Sequence, residues 1–269
     1  MDDPTGGPAA AHGADEVGPV AARLRAAGCV FAEEEAALLL EHAATPDALE
    51  RLIGRRVAGE PLEHLLGWAE FRGRRLAVAP RVFVPRLRTG ILVDLALAPT
   101  LPAGAVVVEL CCGVGAVSDA LLQVRPDLQV VAADIDHRAV SCARVNLGDR
   151  ATVLQGDLFD ALPKGLRGTV DLMVANAPYV PTAEIPMMPA EARDHESATA
   201  LDGGADGLDL HRRILAAAPV WLRPGGAVLL ESSPRQAAID VALAAAAGLT
   251  ATVFRDEEIE GTAVRAVRS

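Results

Sequence analysis

The chain has 269 residues, of which 51% are apolar, and a formal net charge of −11 at pH 7. This length allows a substantial core in one or two domains. The acidic balance argues against nucleic acid as the main partner, and no apolar run approaches the roughly 18 residues that cross a membrane. The acidic first residues do not resemble a secretory signal, which predicts a cytoplasmic protein.

The cysteines and histidines carry no metal-binding pattern. No cysteine belongs to a C-x-x-C pair, and no histidine stands at metal-ligand spacing. The sequence therefore predicts free thiols, with neither a disulfide framework nor a metal site.

Composition and periodicity divide the chain into segments. Residues 1–17 are rich in Gly, Ala, Pro and Asp, and are expected to be a disordered tail. Residues 18–66 carry apolar stripes at helical spacing, which predict a small helical domain. Residues 67–85 predict a hairpin between two domains, with Gly73 in or next to its turn. Residues 86–269 form the second predicted domain.

Short apolar runs alternate with helical stretches in this second domain. Such alternation predicts an α/β fold with parallel strands buried on both faces. A doubly wound sheet binds its ligands at the carboxyl ends of its strands. The expected strands cover residues 105–110, 129–133, 151–155, 170–175 and 227–230, followed by a terminal antiparallel pair near 250–254 and 262–267.

The ends of the first three strands carry residues suited to a nucleoside. Gly113 and Gly115 allow close approach of the backbone to a ligand. Asp134 follows Gly115 by 19 residues (134 − 115), a spacing typical of an acid that accepts ribose hydroxyls. Asp157 ends the third strand, where it could bind an adenine amino group. Both acids could instead cap helices. A third glycine is absent at Ser118, which disfavours NAD.

A further acid, Glu109, lies near the end of the first strand and could face a cationic ammonium group, through a bound water or neighbouring backbone. A ligand with a ribose, an adenine and a cationic amino acid therefore fits these strand ends. S-adenosylmethionine has this composition.

The fourth strand ends at Asn176-Ala177-Pro178-Tyr179, where an ordinary turn and a mould for a planar nitrogen are the competing interpretations. Tyr179 could also be a packing aromatic at the edge of the core. The tetrapeptide resembles the Asn-Pro-Pro-Tyr motif of the protein glutamine N5-methyltransferases that modify peptide-release factors. Adenine-N6 DNA methyltransferases share related tetrapeptides, so the motif alone indicates methylation of a planar nitrogen.

Flanking segments narrow the resemblance, which covers roughly residues 20–269. They are the stretch from Arg56 to Gly73, residues 82–86, Glu191 and Glu196 with the following 200–208, and Leu230-Glu231 with Gln236.

Several positions depart from the family pattern. The family has proline at Ala177, glycine at Cys111 and proline at Ser197, and it has Pro-Glu-Thr-Glu at residues 87–90, which are Leu-Arg-Thr-Gly here. The cofactor site is thus kept while the surface near the substrate is rewritten, which indicates a divergent member.

The resemblance implies a Rossmann-like, seven-stranded class I methyltransferase sheet over residues 86–269 and an N-terminal helical domain that docks the substrate. It implies transfer of a methyl group from S-adenosylmethionine to a glutamine side-chain amide of a protein, a release factor being the candidate, with S-adenosylhomocysteine as product. The Asn176 side-chain oxygen and the Ala177 carbonyl would each accept one amide N–H, and Tyr179 would pack against the amide plane.

The implied site residues fall into three sets. The catalytic set is Asn176, Ala177, Pro178 and Tyr179. The cofactor set is Glu109, Cys111, Gly113, Gly115, Asp134, Ile135, Asp157, Leu158 and Asn176. The substrate set is Asn176, Ala177, Tyr179, Arg86, Thr89 and Glu196.

Other interpretations stay open at this point. The target could be an adenine or a small-molecule nitrogen, or the protein could bind the cofactor without catalysis. A monomer without membrane or direct nucleic-acid contact is expected.

Overall fold

The computed structural model describes residues 16–98 and 101–269. It divides into two compact units, with the boundary between Gly67 and Trp68. The predicted tail lies mostly outside the described residues, although Val17 already begins a helix. In the part of the chain that the structure describes, no helix has the length and apolar character needed to span a membrane.

The first unit is helical, as the apolar spacing predicts. The third helix begins where the sequence indicates, because the Thr45 hydroxyl accepts the Ala48 N–H at 3.2 Å and a proline follows directly. Leu24, Leu39 and Ile53 are fully buried at the centre of the unit. The helices are α1 Val17–Ala26, α2 Ala32–His42, α3 Pro46–Val57 and α4 Leu62–Leu66.

The second unit begins with a hairpin. Strands β1 Trp68–Phe71 and β2 Arg74–Ala77 pair antiparallel. Gly73 lies in the turn with φ = 75°, a conformation that favours glycine. A hairpin with Gly73 in its turn is therefore present, and it belongs to the second unit.

The centre of the second unit is a seven-stranded sheet in the order β5-β4-β3-β6-β7-β9-β8. Neighbours pair in parallel except β9, which runs antiparallel to both β7 and β8. The predicted strands and the terminal antiparallel pair are confirmed. They are β3 Val106–Leu110, β4 Gln129–Asp134, β5 Ala151–Gln155, β6 Val170–Ala175, β7 Leu222–Glu231, β8 Leu249–Asp256 and β9 Gly261–Arg268.

One strand starts earlier than predicted. Strand β7 begins at Leu222, whereas the sequence indicates a start at Ala227. Its pairing with β6 changes register between Val170 and Leu172. The intervening Pro-Gly-Gly has the composition of a loop and conceals this first part of the strand.

Helices cover both faces of the sheet. One face packs against α5, α6 and α7, and the other against α9 and α10, so each face has its own apolar core. Strand β6 is buried along its whole length. Strands β4 and β5 lie on one side of β3, and β6 and β7 lie on the other. The order in which strands are added therefore reverses at β3, and a crevice forms at the carboxyl ends of these strands. The α-helices of this unit are α5 Gly90–Leu97, α6 Ala116–Val124, α7 His137–Leu147, α8 Ala190–His195, α9 Asp209–Trp221 and α10 Ala237–Ala246.

Candidate active site

A cavity of about 860 Å³ opens at the carboxyl ends of β3, β4, β5 and β6. The structure brings most of the predicted site residues together around it. Those that line the cavity are Arg86, Thr89, Glu109, Cys111, Gly113, Asp134, Ile135, Asp157, Leu158, Asn176, Ala177, Pro178 and Tyr179. Gly115 and Glu196 are not among the residues that line it.

The turn after β3 is held by the acid that ends β4. The Asp134 carboxylate accepts the Gly113 N–H at 2.8 Å and the Asp136 N–H at 2.9 Å. Burial raises the pKa of Asp134 above its ordinary value, and these backbone bonds oppose that rise. A Cβ added to Gly113 would meet no atom within 4 Å. The turn therefore presents backbone to open space, with a carboxylate fixed beside it.

Glu109 places a second carboxyl group in the wall of the cavity. It is 5% exposed and accepts hydrogen bonds from the Ser118 N–H at 2.9 Å and the Ser118 hydroxyl. Burial raises its pKa to about 7, because the charged form loses hydration. The group therefore changes charge near neutral pH, and a cation bound beside it would favour the carboxylate.

Two residues of the turn have roles that the sequence does not reveal. A Cβ on Gly115 would lie 2.9 Å from Leu147 Cδ1, so this glycine permits close packing of α6 against α7 instead of bordering the cavity. Cys111 has φ = 53°, a conformation that glycine adopts without strain. This conformation explains why the family pattern has glycine at this position. Burial raises the pKa of the Cys111 thiol above its ordinary value.

Asp157, at the end of β5, is already paired. Its Oδ2 atom lies 2.8 Å from Nη2 of Arg213, which comes from α9. Both side chains line the cavity and both are partly exposed. A ligand that binds Asp157 would therefore also lie next to the positive charge of Arg213. The sequence pattern does not predict this pairing.

At the end of β6, the four-residue motif is held by two consecutive residues of a distant segment. The Asn176 Nδ2 group donates to Thr89 Oγ1 at 3.2 Å. Arg88 Nε donates to the Tyr179 hydroxyl at 3.1 Å. Ala177 between them is fully buried. Asparagine and tyrosine are therefore both oriented from the segment that precedes α5.

Tyr179 also contacts a buried acid at the end of β7. Its hydroxyl donates to Glu231 Oε1 at 3.2 Å, and Arg88 Nε reaches the same oxygen at 3.1 Å. Burial and the nearby carboxylate raise the pKa of Tyr179 to about 12. The tyrosine therefore stays a neutral hydrogen-bonding group at physiological pH.

The backbone of the motif is supported by the glycine-rich loop of residues 203–207. A Cβ on Gly207 would lie 2.2 Å from the Tyr179 carbonyl oxygen, so only glycine fits at this close approach. The Gln236 side chain donates to the same oxygen at 2.9 Å and to the Asp206 carbonyl at 3.0 Å. Residues 203–207, which belong to the downstream signature of the sequence, therefore support the backbone of the motif.

Glu196, predicted to bind the substrate, is not among the residues that line the cavity. Its side chain is 1% exposed, accepts the Val84 N–H at 3.3 Å and pairs with Arg86. Arg86, by contrast, lines the cavity. Glu196 therefore holds a cavity residue in place, because the loop that carries it packs against the segment before α5.

A buried polar network beneath the motif is missed by sequence reasoning. His211 and Asp240 are both fully buried, with Nδ1 and Oδ1 2.9 Å apart, and Ser232 donates to the other carboxylate oxygen at 2.6 Å. The His211 ring lies edge-on to Tyr179 at 6.4 Å. Histidine and aspartate are 29 residues apart in the chain, so no local pattern connects them.

The strand order, the acid-ended strands around one crevice and the Asn-x-Pro-Tyr motif at the end of β6 define a class I methyltransferase. Residues 91–259 match the family model of the methyltransferase small domain. A relative from Mycolicibacterium smegmatis, named release factor glutamine methyltransferase, is 43% identical over 68% of this chain and 66% of its own length. One of the same name from Deinococcus radiodurans is 37% identical over 92% of this chain and 95% of its own length. The chain belongs to the release factor glutamine methyltransferase family.

Other comparisons widen this picture. A relative from Bordetella pertussis, 42% identical over 67% of this chain and 62% of its own length, is named ribosomal protein uL3 glutamine methyltransferase. Among solved structures, a methyltransferase from Pyrococcus furiosus shares the fold, with a TM-score of 0.55 at 17% identity over 80% of this chain and 95% of its own.

Proposed function

We propose that this protein transfers a methyl group from S-adenosylmethionine to the side-chain amide nitrogen of a glutamine in a protein substrate. The observation that carries the proposal is the orientation of Asn176. Its amide nitrogen is taken up by Thr89 Oγ1 at 3.2 Å, which leaves the carbonyl end to accept an N–H from a substrate amide.

The cavity has two parts under this proposal. We call the part lined by Glu109, Gly113, Asp134 and Asp157 the cofactor end. The part lined by Arg88, Thr89, Asn176 and Tyr179 is the acceptor end.

The cofactor end suits S-adenosylmethionine. The open space beside Gly113 admits a ligand against the backbone, and the fixed Asp134 carboxylate can accept the ribose hydroxyls. Asp157 would accept the adenine amino group. Glu109 would meet the ammonium group, since a cation there favours the carboxylate of an acid whose pKa is raised to about 7.

When bound, S-adenosylmethionine supplies a methyl group on a sulfonium: the amide nitrogen forms the new bond to carbon, sulfur keeps the electron pair of the old bond, and S-adenosylhomocysteine results. The protein contributes mainly orientation, because an amide nitrogen is a weak nucleophile whose lone pair is delocalised. Asn176 Oδ1 and the Ala177 carbonyl accept the two N–H groups, and Pro178 restricts the chain between them and Tyr179. In well-oriented reactions such positioning can supply up to about 7–11 kcal/mol of the barrier.

The aromatic ring of Tyr179 forms the remaining wall of the acceptor end. Its hydroxyl is held by Arg88 and Glu231, so the ring can lie against the plane of the amide. The amide proton leaves to solvent after the methyl group has arrived. No side chain has to act as a general base at the acceptor end.

The names of the relatives supply the candidate substrates. A peptide-release factor is the first, and ribosomal protein uL3 is the second, because a relative of 42% identity carries that name. An acidic chain with a net charge of −11 favours a protein over nucleic acid.

The test supplies the purified protein with methyl-labelled S-adenosylmethionine and either the release factors or uL3 of the same organism. Peptide mass spectrometry then locates the label. We expect it on one glutamine side chain, and none with the Asn176→Ala variant. Label in nucleic acid or in a small molecule overturns the proposal. Tight cofactor binding without label on any acceptor would indicate a cofactor-binding relative without catalysis.

A further inference from the structure

Arg88 occupies a distinctive place at the acceptor end. It lines the cavity together with Asn176 and Tyr179. Its Nε atom is 3.1 Å from the Tyr179 hydroxyl, and the next residue, Thr89, is 3.2 Å from the Asn176 amide. A substrate amide held by Asn176 therefore has Arg88 as a close neighbour.

The guanidinium group is anchored on one edge. Its Nε–H is shared between Tyr179 and Glu231, and the Glu231 side chain is only 1% exposed. The Arg88 side chain is 43% exposed, and neither of its terminal nitrogens bonds to a residue that the structure describes. The inner edge of the group is thus occupied, while its two terminal amino groups remain available to a ligand.

Two of the other three arginines that line the cavity are engaged through their terminal nitrogens. Arg86 uses a terminal nitrogen to pair with Glu196, and Arg213 uses one to pair with Asp157. Two acids that line the cavity already have partners: Asp202 accepts the Thr182 hydroxyl, and Asp209 pairs with Arg212. The two terminal amino groups of Arg88 therefore remain free of hydrogen bonds to the neighbouring residues that the structure describes.

From this geometry we propose that Arg88 determines substrate specificity by binding a carboxylate of the substrate close to the acceptor glutamine. The inference rests on the proposed function. A planar guanidinium matches a carboxylate through paired N–H bonds. Because Glu231 and Tyr179 already fix the group, little side-chain entropy is lost on binding. The substrate class is thus a protein segment with an aspartate or glutamate beside its methylated glutamine.

The experiment uses short peptides that contain one glutamine between neutral residues. Aspartate, or its uncharged isostere asparagine, is placed at each position up to two residues before and after the glutamine. We expect aspartate at one of these positions to raise kcat/KM about tenfold over asparagine, as for a charge-assisted hydrogen bond. Arg88→Gln should remove this preference, and Arg88→Lys should retain part of it.

Two further variants separate recognition from folding. Arg125→Gln removes a partly exposed arginine that pairs with Asp127 outside the cavity, and it should keep the full preference. If Arg88→Gln alone fails to fold because Glu231 is left buried without a counter-charge, the double variant Arg88→Gln/Glu231→Gln replaces it. A merely structural role for Arg88 would lower the rates of both peptides equally and leave their ratio unchanged.

The outcomes distinguish the two proposals. Methylation of aspartate and asparagine peptides at equal rates at every position overturns the role of Arg88 and leaves the proposed function intact. A preference that persists in Arg88→Gln also overturns it. Absence of methyl transfer to the release factors and to uL3, as well as to every glutamine peptide, overturns the proposed function, and the inference with it.

Discussion

At the cofactor end of the cavity, carboxylates are held mainly by backbone N–H groups from nearby in the chain, whereas at the acceptor end side chains from distant segments hold one another. Asp134 binds the N–H of Asp136, two residues on, and Glu109 binds that of Ser118, nine residues on. Asn176, by contrast, meets Thr89 across 87 residues. Tyr179 meets Arg88 across 91.

This difference has a consequence for substitutions. The cofactor end is made by the strand-turn-helix geometry of one sheet edge, so changes there should affect cofactor affinity. The acceptor end depends on how the segment before α5 and the end of β7 meet the motif, so changes there should affect methyl transfer while cofactor affinity is preserved. Three substitutions test this separation, and a fourth tests the burial of Glu109 at the cofactor end.

The largest effect is expected for Asn176→Ala. The rate of methyl transfer should fall about a thousandfold, because one of the groups that orient the amide is lost, while the Kd for S-adenosylmethionine changes less than about threefold. Single-turnover kinetics and calorimetry measure the two quantities. Asn176→Asp, which keeps an acceptor oxygen, should lose less. An equal loss of cofactor affinity would place Asn176 at the cofactor end and break the separation.

Asp134→Asn should show the reverse pattern. Loss of the charged acceptor should raise the Kd for S-adenosylmethionine about a hundredfold, while kcat at saturating cofactor stays within about threefold. Calorimetry and saturation kinetics check both. Asp127→Asn is the matched control, since Asp127 is exposed and pairs with Arg125 away from the cavity. A fall in kcat at saturating cofactor would show that the two ends are coupled.

Glu109 predicts a pH dependence of stability. Its pKa rises from 4.5 in the unfolded chain to about 7 in the folded protein, so folding binds a proton between these values. The stabilising contribution is fully present below about pH 4.5 and is lost as pH rises to about 7, amounting to about 3 kcal/mol. Denaturant unfolding of the protein without cofactor, compared with Glu109→Gln from pH 5 to 8, measures it. Parallel curves for the two proteins would contradict this burial effect.

The smallest effect is expected for Thr89→Val. This substitution keeps the shape but removes the acceptor for the Asn176 amide nitrogen. The rate of methyl transfer should fall about fivefold, as for one neutral hydrogen bond, without change in cofactor affinity. Thr169→Val, which removes a hydroxyl bonded to the Leu166 carbonyl at the surface, is the matched control. An unchanged rate would mean that the asparagine is oriented by other contacts.

The two ends also differ in how far the sequence could predict them. Apolar alternation located the strands, and the residues at their ends indicated a nucleoside ligand, because side-chain period and strand length are local properties. The packing role of Gly115 could not be predicted, since it depends on Leu147 of a later helix. The same holds for Glu196, whose partner Arg86 lies 110 residues away.

The divergent stretch at residues 87–90 shows the limit most clearly. The sequence identifies the loss of two acids there but not what the arginine contacts. Only the fold reveals that Arg88 meets Glu231, 143 residues later, because β7 lies beside β6 and ends next to the motif.

The sequence by itself determined the α/β class, the strand positions, the family and the motif, since periodicity, turn residues and short spacings are written along the chain. The tertiary structure decided which carboxyl groups are buried, which glycine borders the cavity and which side chains orient Asn176 and Tyr179. Those properties depend on contacts between residues that are neighbours only after the strands have assembled, and on the loss of water from charged groups that this assembly imposes.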